Sequence, residues 1–235
     1  MFSQGNTKLG LDVWSFSIPA LITCHGRTPA CEAACYALKG HFLLPSVHAF
    51  YEANYAVTRT ADFVERAQAE VRAFLIKLLR VHVSGDFYSW YYVSQWQDIV
   101  SACPRTTFFA YTRSWRVPRL REALLRLAAL PNFWLWWSVD RDTGEAPRDP
   151  EVAGLAYMSA ADDDLPAYPV GLVFRDREKV PMKFTPGGDF VCPYEQGVKR
   201  KPKITCSRCR YCFGPRELRR PAPAPGGRVS LALVG

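Results

Sequence analysis

Cysteine is the residue type whose spacing most clearly indicates chemistry in this sequence. Seven of the eight cysteines fall into two groups, and the first group comprises Cys24, Cys31 and Cys35 in the segment CHGRTPACEAACYA. Three thiolates in one loop suit a 4Fe-4S cluster, because three cysteines hold three irons and leave the fourth open to an external ligand. The alternatives are a zinc site that includes His25 or His41, and buried structural cysteines.

The second group lies near the C-terminus and is tightly spaced. Thirteen residues separate Cys192 from Cys206, and two residues separate Cys206 from Cys209 and Cys209 from Cys212. Four cysteines spaced in this way fit a tetrahedral zinc site or an iron–sulfur cluster with four thiolate ligands, and the spacing does not choose between them. Cys103 is far in sequence from both groups, so we expect it to be structural.

Metal binding explains the cysteines better than disulfide formation does. Residues 1–10 lack the basic start and apolar stretch of a secretory signal, and no apolar run is long enough to cross a bilayer. Cysteine clusters in cytosolic chains are more often ligands than crosslinks. We therefore expect a cytoplasmic protein without membrane association that carries one or two iron–sulfur clusters, with zinc as the alternative at the C-terminal site.

A second kind of candidate site consists of polar residues that follow apolar strands. Ligands of parallel α/β folds lie outside the carboxyl ends of the strands, and three successive predicted strands here end in hydrogen-bonding residues. We expect Asp86, Arg113 and Asp140 to line a catalytic site. The residues expected to bind a cofactor are Ser84, Gly85, Asp86, Thr112 and Ser138. Ordinary loop capping by Ser, Thr and Asp is the alternative.

Alternating helices and strands are predicted to position these residues. Apolar residues at helical spacing predict helices over 46–57, 61–80, 91–102 and 117–130, with Thr60 as the N-cap of the second. Strands are predicted over 11–18, 81–83, 106–112, 132–139, 154–158 and 170–174. This alternation is typical of a parallel sheet with crossover helices. Because the units are too few for a full eight-stranded barrel, we expect an α/β fold, either a partial (β/α) barrel or an open, mostly parallel sheet.

The C-terminal part of the chain differs in composition from the rest. We divide the chain into an α/β cluster-binding domain over 1–179, a cysteine-rich metal-binding extension over 180–220 and a flexible, Pro-rich tail over 221–235. The formal net charge is +8, and much of the basic excess surrounds the C-terminal cysteines, at Lys199, Arg200, Lys201, Lys203, Arg208, Arg210, Arg216, Arg219 and Arg220. Such a segment predicts a nucleic-acid partner, and a counter-charge for thiolates or a solvated basic tail explains it equally well.

Several of these segments together resemble one known family. The opening GNTKLG, the WSFS strand, the CHGRTPACEAACYA loop, the HVSGDFYS block, the FFAYTRSW strand end and the terminal cysteine set are similar to the phage and plasmid family named gene product eighty-eight-like, and they cover most of the chain. The resemblance implies a phage-encoded protein located in the cytoplasm of the host cell.

At a greater distance the layout resembles radical S-adenosylmethionine enzymes. Those enzymes carry three cysteines in the loop after the first barrel strand, a Gly-rich acidic block after the second, and in some cases a C-terminal extension with another cluster. Cys24, Cys31 and Cys35 match the cysteines by placement, and Ser84-Gly85-Asp86 matches the acidic block. The usual spacing is CxxxCxxC, whereas six and three residues intervene here. The resemblance implies S-adenosylmethionine as a cofactor at the open iron.

Two hypotheses from different classes follow. The first is an iron–sulfur enzyme that binds S-adenosylmethionine or a substrate beside Cys24, Cys31 and Cys35 and holds a second cluster or zinc at the C-terminal cysteines. The second is a non-catalytic zinc protein that binds nucleic acid or a host protein through its basic segment, in which case binding would depend strongly on salt.

Overall fold

An open β-sheet forms the centre of the molecule. A computed structural model describes residues 1–161, 163–175, 181–196 and 204–214. Within these ranges eight strands pair in the order of the chain. The first pair is antiparallel and all later pairs are parallel, which confirms the predicted α/β class with an open, mostly parallel sheet. The strands are β1 (Ser3–Gln4), β2 (Trp14–Phe16), β3 (Leu78–Val81), β4 (Thr107–Thr112), β5 (Phe133–Val139), β6 (Gly154–Ser159), β7 (Leu172–Arg175) and β8 (Phe190–Val191).

Helices connect the central strands. The α-helices of the described residues are α1 (Pro29–Ala33), α2 (Pro45–Val57), α3 (Phe63–Ala73), α4 (Trp90–Ala102), α5 (Pro118–Ala128) and α6 (Cys206–Cys209). Local sequence explains several of their starts. The side chain of Ser89 caps α4 by accepting a hydrogen bond from the amide of Tyr92, and Pro118 occupies the first turn of α5, where its missing N–H costs no hydrogen bond.

The two faces of the sheet are covered differently. Alternate residues of a strand point to opposite faces, so Phe108 and Ala110 face the buried side chains of α3, α4 and α5 in the main core. The other face carries Phe109, which packs with Leu9 and Phe213 in a second cluster. The C-terminal cysteine segment therefore covers the face of the sheet that the helices leave open.

One predicted helix is wrong in its second half. The helix predicted over 61–80 ends at Ala73 as α3, and its last residues belong to β3, so the strand predicted over 81–83 begins earlier, at Leu78. Leu75 has a φ of 50°, and the amide of Ile76 bonds back to the carbonyl of Val71, which closes the helix. The segment 74–79 is apolar except for Lys77 and fitted either period, so periodicity did not show this boundary.

The other predicted elements differ from the observed ones by at most a few residues at each end. The predicted N-cap Thr60 is also wrong, because Asp62 occupies that position without a capping hydrogen bond. Both predicted domain boundaries fall at residues outside the described ranges, as does the tail over 221–235, so the division into domains stays a prediction. Within the described residues, no helix combines the length and the apolar character needed to span a membrane.

Candidate metal centres

The first cysteine group lies in the loop after β2, and this loop packs against the carboxyl end of β4. A Cβ atom added to Gly26 would overlap the carbonyl oxygen of Arg113 and lie 2.9 Å from the amide nitrogen of Ser114. Arg116 donates from Nη1 to the carbonyl oxygens of Gly26 at 2.9 Å and Arg27 at 3.1 Å. Gly26 is therefore required by a close backbone contact that places the loop on the strand end.

Thr28 and Asp140 attach the same loop to the end of β5. The Thr28 hydroxyl donates to Oδ2 of Asp140 at 2.6 Å and accepts from the Cys31 amide at 3.0 Å, which makes Thr28 the N-cap of α1. Oδ2 of Asp142 accepts from the Ala30 amide at 2.7 Å. The start of the short helix that carries Cys31 is thus fixed by two carboxylates from a strand end more than a hundred residues away.

In the N-terminal group, Cys31 is an electrostatic neighbour of both Cys24 and Cys35. Each is half-buried and unpaired. Burial, followed by the Asp86 carboxylate, raises the pKa of the Cys24 thiol to about 12, and Cys31 contributes to that shift. Burial also raises the pKa of Cys31, which interacts with Cys35. The suggested zinc ligands His25 and His41 are both exposed side chains.

Arg113 and Asp140 form a buried ion pair beside Cys31. Nη1 of Arg113 lies 2.7 Å from Oδ2 of Asp140, and the two side chains are 6% and 0% exposed. The guanidinium acts electrostatically on the Cys31 thiol and opposes the rise of its pKa. Two of the three residues predicted as catalytic, Arg113 and Asp140, therefore adjoin the cysteine loop, and a direct contact with a substrate stays a prediction.

Asp86 connects the ends of the neighbouring strands β3 and β4 through hydrogen bonds. Its Oδ1 accepts from the Phe87 amide at 2.7 Å and the Thr112 hydroxyl at 2.5 Å, while Oδ2 accepts from the Arg113 amide at 2.8 Å. Burial raises the pKa of this carboxyl, and these hydrogen bonds act in the opposite direction. Because both oxygens are already engaged, the carboxylate joins the end of β3 to the end of β4.

The remaining predicted cofactor residues do not all lie on the same face of the sheet. Gly85 has a φ of +81°, and an added Cβ would lie 2.5 Å from Cγ1 of Ile18, so it provides the predicted close approach to the loop after β2. The Ser84 amide donates to Oγ of Ser17 at 3.3 Å. Thr112 pairs in register with Trp137, and Ser138, the next residue along, points to the opposite face. Ser138 is thus not brought together with Thr112.

The four C-terminal cysteines line one cavity, which lies on the face of the sheet opposite α3, α4 and α5. Its lining includes Cys192, Cys206, Cys209 and Cys212. Two hydrogen bonds to backbone groups of this segment hold it in place. The Trp136 indole donates to the carbonyl of Cys212 at 2.9 Å, and the Cys206 amide donates to the carbonyl of Lys8 at 2.9 Å.

Burial dominates the electrostatics of these thiols. It raises the pKa of Cys192 to about 12 and is also the first cause of the raised pKa values of Cys206, Cys209 and Cys212. The ammonium of Lys8 opposes the shift at Cys192 and Cys206. Lys8 itself forms an ion pair with Glu195. Burial lowers the pKa of Lys8, but Glu195 and Cys192 more than offset it and the net shift is upward.

Arg80 is a second cation at this cavity. Its Nε is fully removed from solvent without a hydrogen-bond partner, and the guanidinium lies 5.2 Å from the centre of the Tyr111 ring. The thiols of Cys206 and Cys212 are among the groups that interact with it electrostatically. In the described ranges no carboxylate forms an ion pair with Arg80.

Sequence reasoning missed Lys8 and Arg80. Arg80 was placed at the end of a predicted helix, where a basic residue is ordinary. The available signal was a single arginine inside the short apolar strand LLRV. Lys8 carried no local signal, because it meets the cysteines only through the tertiary fold.

The described residues contain no preformed site for a single metal ion. Across the described parts of the chain, no group of three or more Cys, His, Asp or Glu side chains is placed so that it could hold a metal ion. The three N-terminal thiols therefore do not converge on one point, and the four C-terminal thiols share one cavity without doing so.

The predicted nucleic-acid interface falls largely outside the described residues. Arg208 and Arg210 are exposed, whereas Lys199, Arg200, Lys201, Lys203, Arg216, Arg219 and Arg220 lie outside the described ranges. The nucleic-acid partner therefore stays a prediction.

Comparison with known proteins gives one family match. The family model described as Gene product 88 matches residues 1–214. The Gene 88 protein of Mycobacterium phage L5 is 28% identical over 169 residues, covering 66% of this chain and 69% of that protein. The Gene 88 protein of Mycobacterium phage D29 is also 28% identical over 169 residues, covering 66% of this chain and 68% of its own length. No solved structure matches.

Proposed function

The chain belongs to the Gene product 88 family, and we propose that it is an iron–sulfur protein with two separate cysteine centres. Cys24, Cys31 and Cys35 hold a cluster with one open iron. Cys192, Cys206, Cys209 and Cys212 hold a second, closed centre. The further proposal is enzymatic, in that the open iron binds S-adenosylmethionine or a substrate.

One observation carries the proposal, namely that four cysteines on two segments of the chain line one cavity beside the half-buried guanidinium of Arg80, whose Nε is removed from solvent. A buried charge is costly unless it is compensated. Arg80 has no carboxylate ion pair among the described residues, and thiols are the neighbouring groups that become anionic when they bind metal. The donor set, together with a guanidinium that has no carboxylate ion pair among the described residues, thus fits a metal–thiolate centre.

The arrangement favours a cluster over zinc at this centre. A structural zinc needs four sulfurs about 2.3 Å from one point, and no described group of three ligands is placed to hold one ion. An iron–sulfur cluster spreads its thiolates over several irons, so its ligands surround a cavity and need not meet at a point. The shared cavity without a convergence point therefore supports the cluster.

At the N-terminal centre the contacts of the loop define the roles of the polar residues. A bound cluster would supply an open metal position and one-electron chemistry. On this proposal Thr28, Arg113 and Asp140 position the loop and keep a guanidinium beside Cys31. Asp86 positions the ends of β3 and β4 around Cys24. On this proposal Asp86, Arg113 and Asp140, which the sequence predicted to be catalytic, act through the cysteines as positioning residues.

Metal analysis after anaerobic purification tests the proposal. Two four-iron clusters would give about eight irons and eight acid-labile sulfides per chain. Replacing Cys206 and Cys209 together by Ala should remove the contribution of one centre, and replacing Cys24 and Cys31 should remove the other. Cys103→Ala is the matched control, because Cys103 lies in the main core away from both centres.

Two outcomes separate the alternatives. Zinc at both centres without sulfide would overturn the iron–sulfur proposal and favour the non-catalytic zinc protein. Iron and sulfide at both centres, without reductive cleavage of added S-adenosylmethionine, would retain the cluster protein and overturn that cofactor assignment.

A further inference from the structure

Arg80 interacts with groups at both cysteine centres. Toward the C-terminal centre, its guanidinium interacts with the thiols of Cys206 and Cys212 and lies over the ring of Tyr111. The Tyr111 side chain in turn lines the same cavity and interacts with the Cys212 thiol. Through these contacts one cationic side chain of β3 adjoins two of the four C-terminal sulfurs.

Toward the N-terminal centre, the same guanidinium reaches the residue that follows Cys35. Nη2 of Arg80 donates to the Tyr36 hydroxyl in a long hydrogen bond of 3.4 Å. The Tyr36 hydroxyl donates to the carbonyl of Val83, at the start of the VSGD block. Tyr36 also begins the 3-10 helix for which Cys35 is the N-cap. Tyr36 is therefore joined directly to the backbone of Cys35, the third cysteine of the N-terminal group.

We propose that Arg80 is a positioning residue shared by the two centres, whose single charge sets the reduction potential of the C-terminal cluster while its contact with Tyr36 sets that of the N-terminal one. This inference rests on the proposed iron–sulfur function. It makes the two centres interdependent, because the guanidinium has one position that serves both.

The sign of the effect follows from electrostatics. Reduction adds a negative charge to a cluster that is already anionic with its thiolates, and a neighbouring cation stabilises the reduced form more than the oxidised form. Removing the cation therefore lowers the midpoint potential. A tenfold change in the reduction equilibrium corresponds to about 59 mV for one electron, and we expect a change of at least tenfold at the C-terminal cluster.

Three variants separate the charge of Arg80 from its contact with Tyr36. Arg80→Gln removes both, and should lower the potential of the C-terminal cluster and shift that of the N-terminal one. Arg80→Lys keeps the charge but loses the planar guanidinium whose Nη2 donates to Tyr36. Only the potential of the N-terminal cluster should therefore shift. Tyr36→Phe removes only the hydroxyl and should have the same selective effect. Arg66→Gln, at an exposed site, is the control for loss of one positive charge and should shift neither.

The two potentials are measured one at a time by redox titration followed by electron paramagnetic resonance. Chains with Cys206 and Cys209 replaced by Ala report the N-terminal cluster, and chains with Cys24 and Cys31 replaced report the C-terminal one. If Arg80→Gln does not fold, Arg80→Lys and Tyr36→Phe still decide, since each must shift the N-terminal potential alone.

The failures of the two proposals are distinguishable. Wild-type iron and sulfide content with unshifted potentials would overturn the role of Arg80 and leave the iron–sulfur function standing. An equal shift in Arg66→Gln would also overturn it, because a general loss of charge would then suffice. A wild-type chain without iron and sulfide would overturn both.

Discussion

The Thr28 hydroxyl donates to the Asp140 carboxylate at 2.6 Å, although 112 residues separate them along the chain. The same Asp140 oxygen forms the ion pair with Arg113, whose guanidinium acts electrostatically on the Cys31 thiol. One buried carboxylate therefore fixes the N-cap of the cysteine-bearing helix and the cation beside its thiol. This network makes the geometry of the first cysteine group depend on the ends of β4 and β5.

Asp140→Asn should destabilise the protein strongly. The substitution keeps the shape but removes the charge that compensates the buried Arg113, and breaking a buried ion pair in this way costs about 3–5 kcal/mol. Urea denaturation of the metal-free protein measures the free energy of unfolding. Asp12→Asn is the control at an exposed position and should change it by less than about 0.5 kcal/mol. A loss equally small for Asp140→Asn would contradict the proposed role of this network.

Gly26→Ala should displace the cysteine loop. The new methyl group would overlap the Arg113 carbonyl, and relieving such a contact typically costs about 1–3 kcal/mol. We expect a lower melting temperature and a lower iron content after reconstitution. Gly187→Ala is the matched control, because its added Cβ would meet no atom closer than 3.6 Å. Unchanged stability and iron binding in Gly26→Ala would show that the loop adapts freely.

His82 should make the protein less stable in acid. Burial, aided by the Arg80 cation, lowers its pKa from 6.5 to about 3. Between these values the unfolded chain binds a proton that the folded chain does not, so stability is lost as the pH falls from 6.5 toward 3, by about 1.4 kcal/mol per pH unit. His82→Asn should remove this contribution, and Asn tolerates the positive φ of 64° at this position.

The measurement is the free energy of unfolding of the metal-free protein at several pH values. Exposed His48 provides the control, since His48→Gln should retain the slope of the wild type. Parallel curves for His82→Asn and the wild type would refute a buried neutral histidine.

Trp136→Phe should loosen the C-terminal cysteine segment. The variant loses the hydrogen bond from the indole to the Cys212 carbonyl, worth about 1 kcal/mol. Exposed Arg208 and Arg210 in this segment provide sites for trypsin, so cleavage there should become several-fold faster. Trp90→Phe replaces a 52% exposed tryptophan and should leave the rate unchanged. Equal cleavage rates in the two variants would mean that the bond does not hold the segment.

Much of the fold followed from periodicity, and part of the N-terminal centre followed from one topological rule. Because parallel strands end at the same edge of a sheet, Asp86 and Arg113 were expected near each other, and the carboxylate accepts from the Arg113 amide at 2.8 Å. The rule places strand ends but does not say which oxygen each donor will use. The engagement of both Asp86 oxygens therefore emerged only from the packed structure.

Local spacing in the sequence was enough to group the seven clustered cysteines and to predict the alternating strands and helices, because both patterns depend on neighbours within a few turns of chain. The location of the C-terminal cysteines over the helix-free face, and the position of Arg80 between the two groups, depend on contacts between distant segments. Burial of a charge is a property of everything packed around it, and only the assembled sheet places the β3 guanidinium between Tyr36 and the thiols.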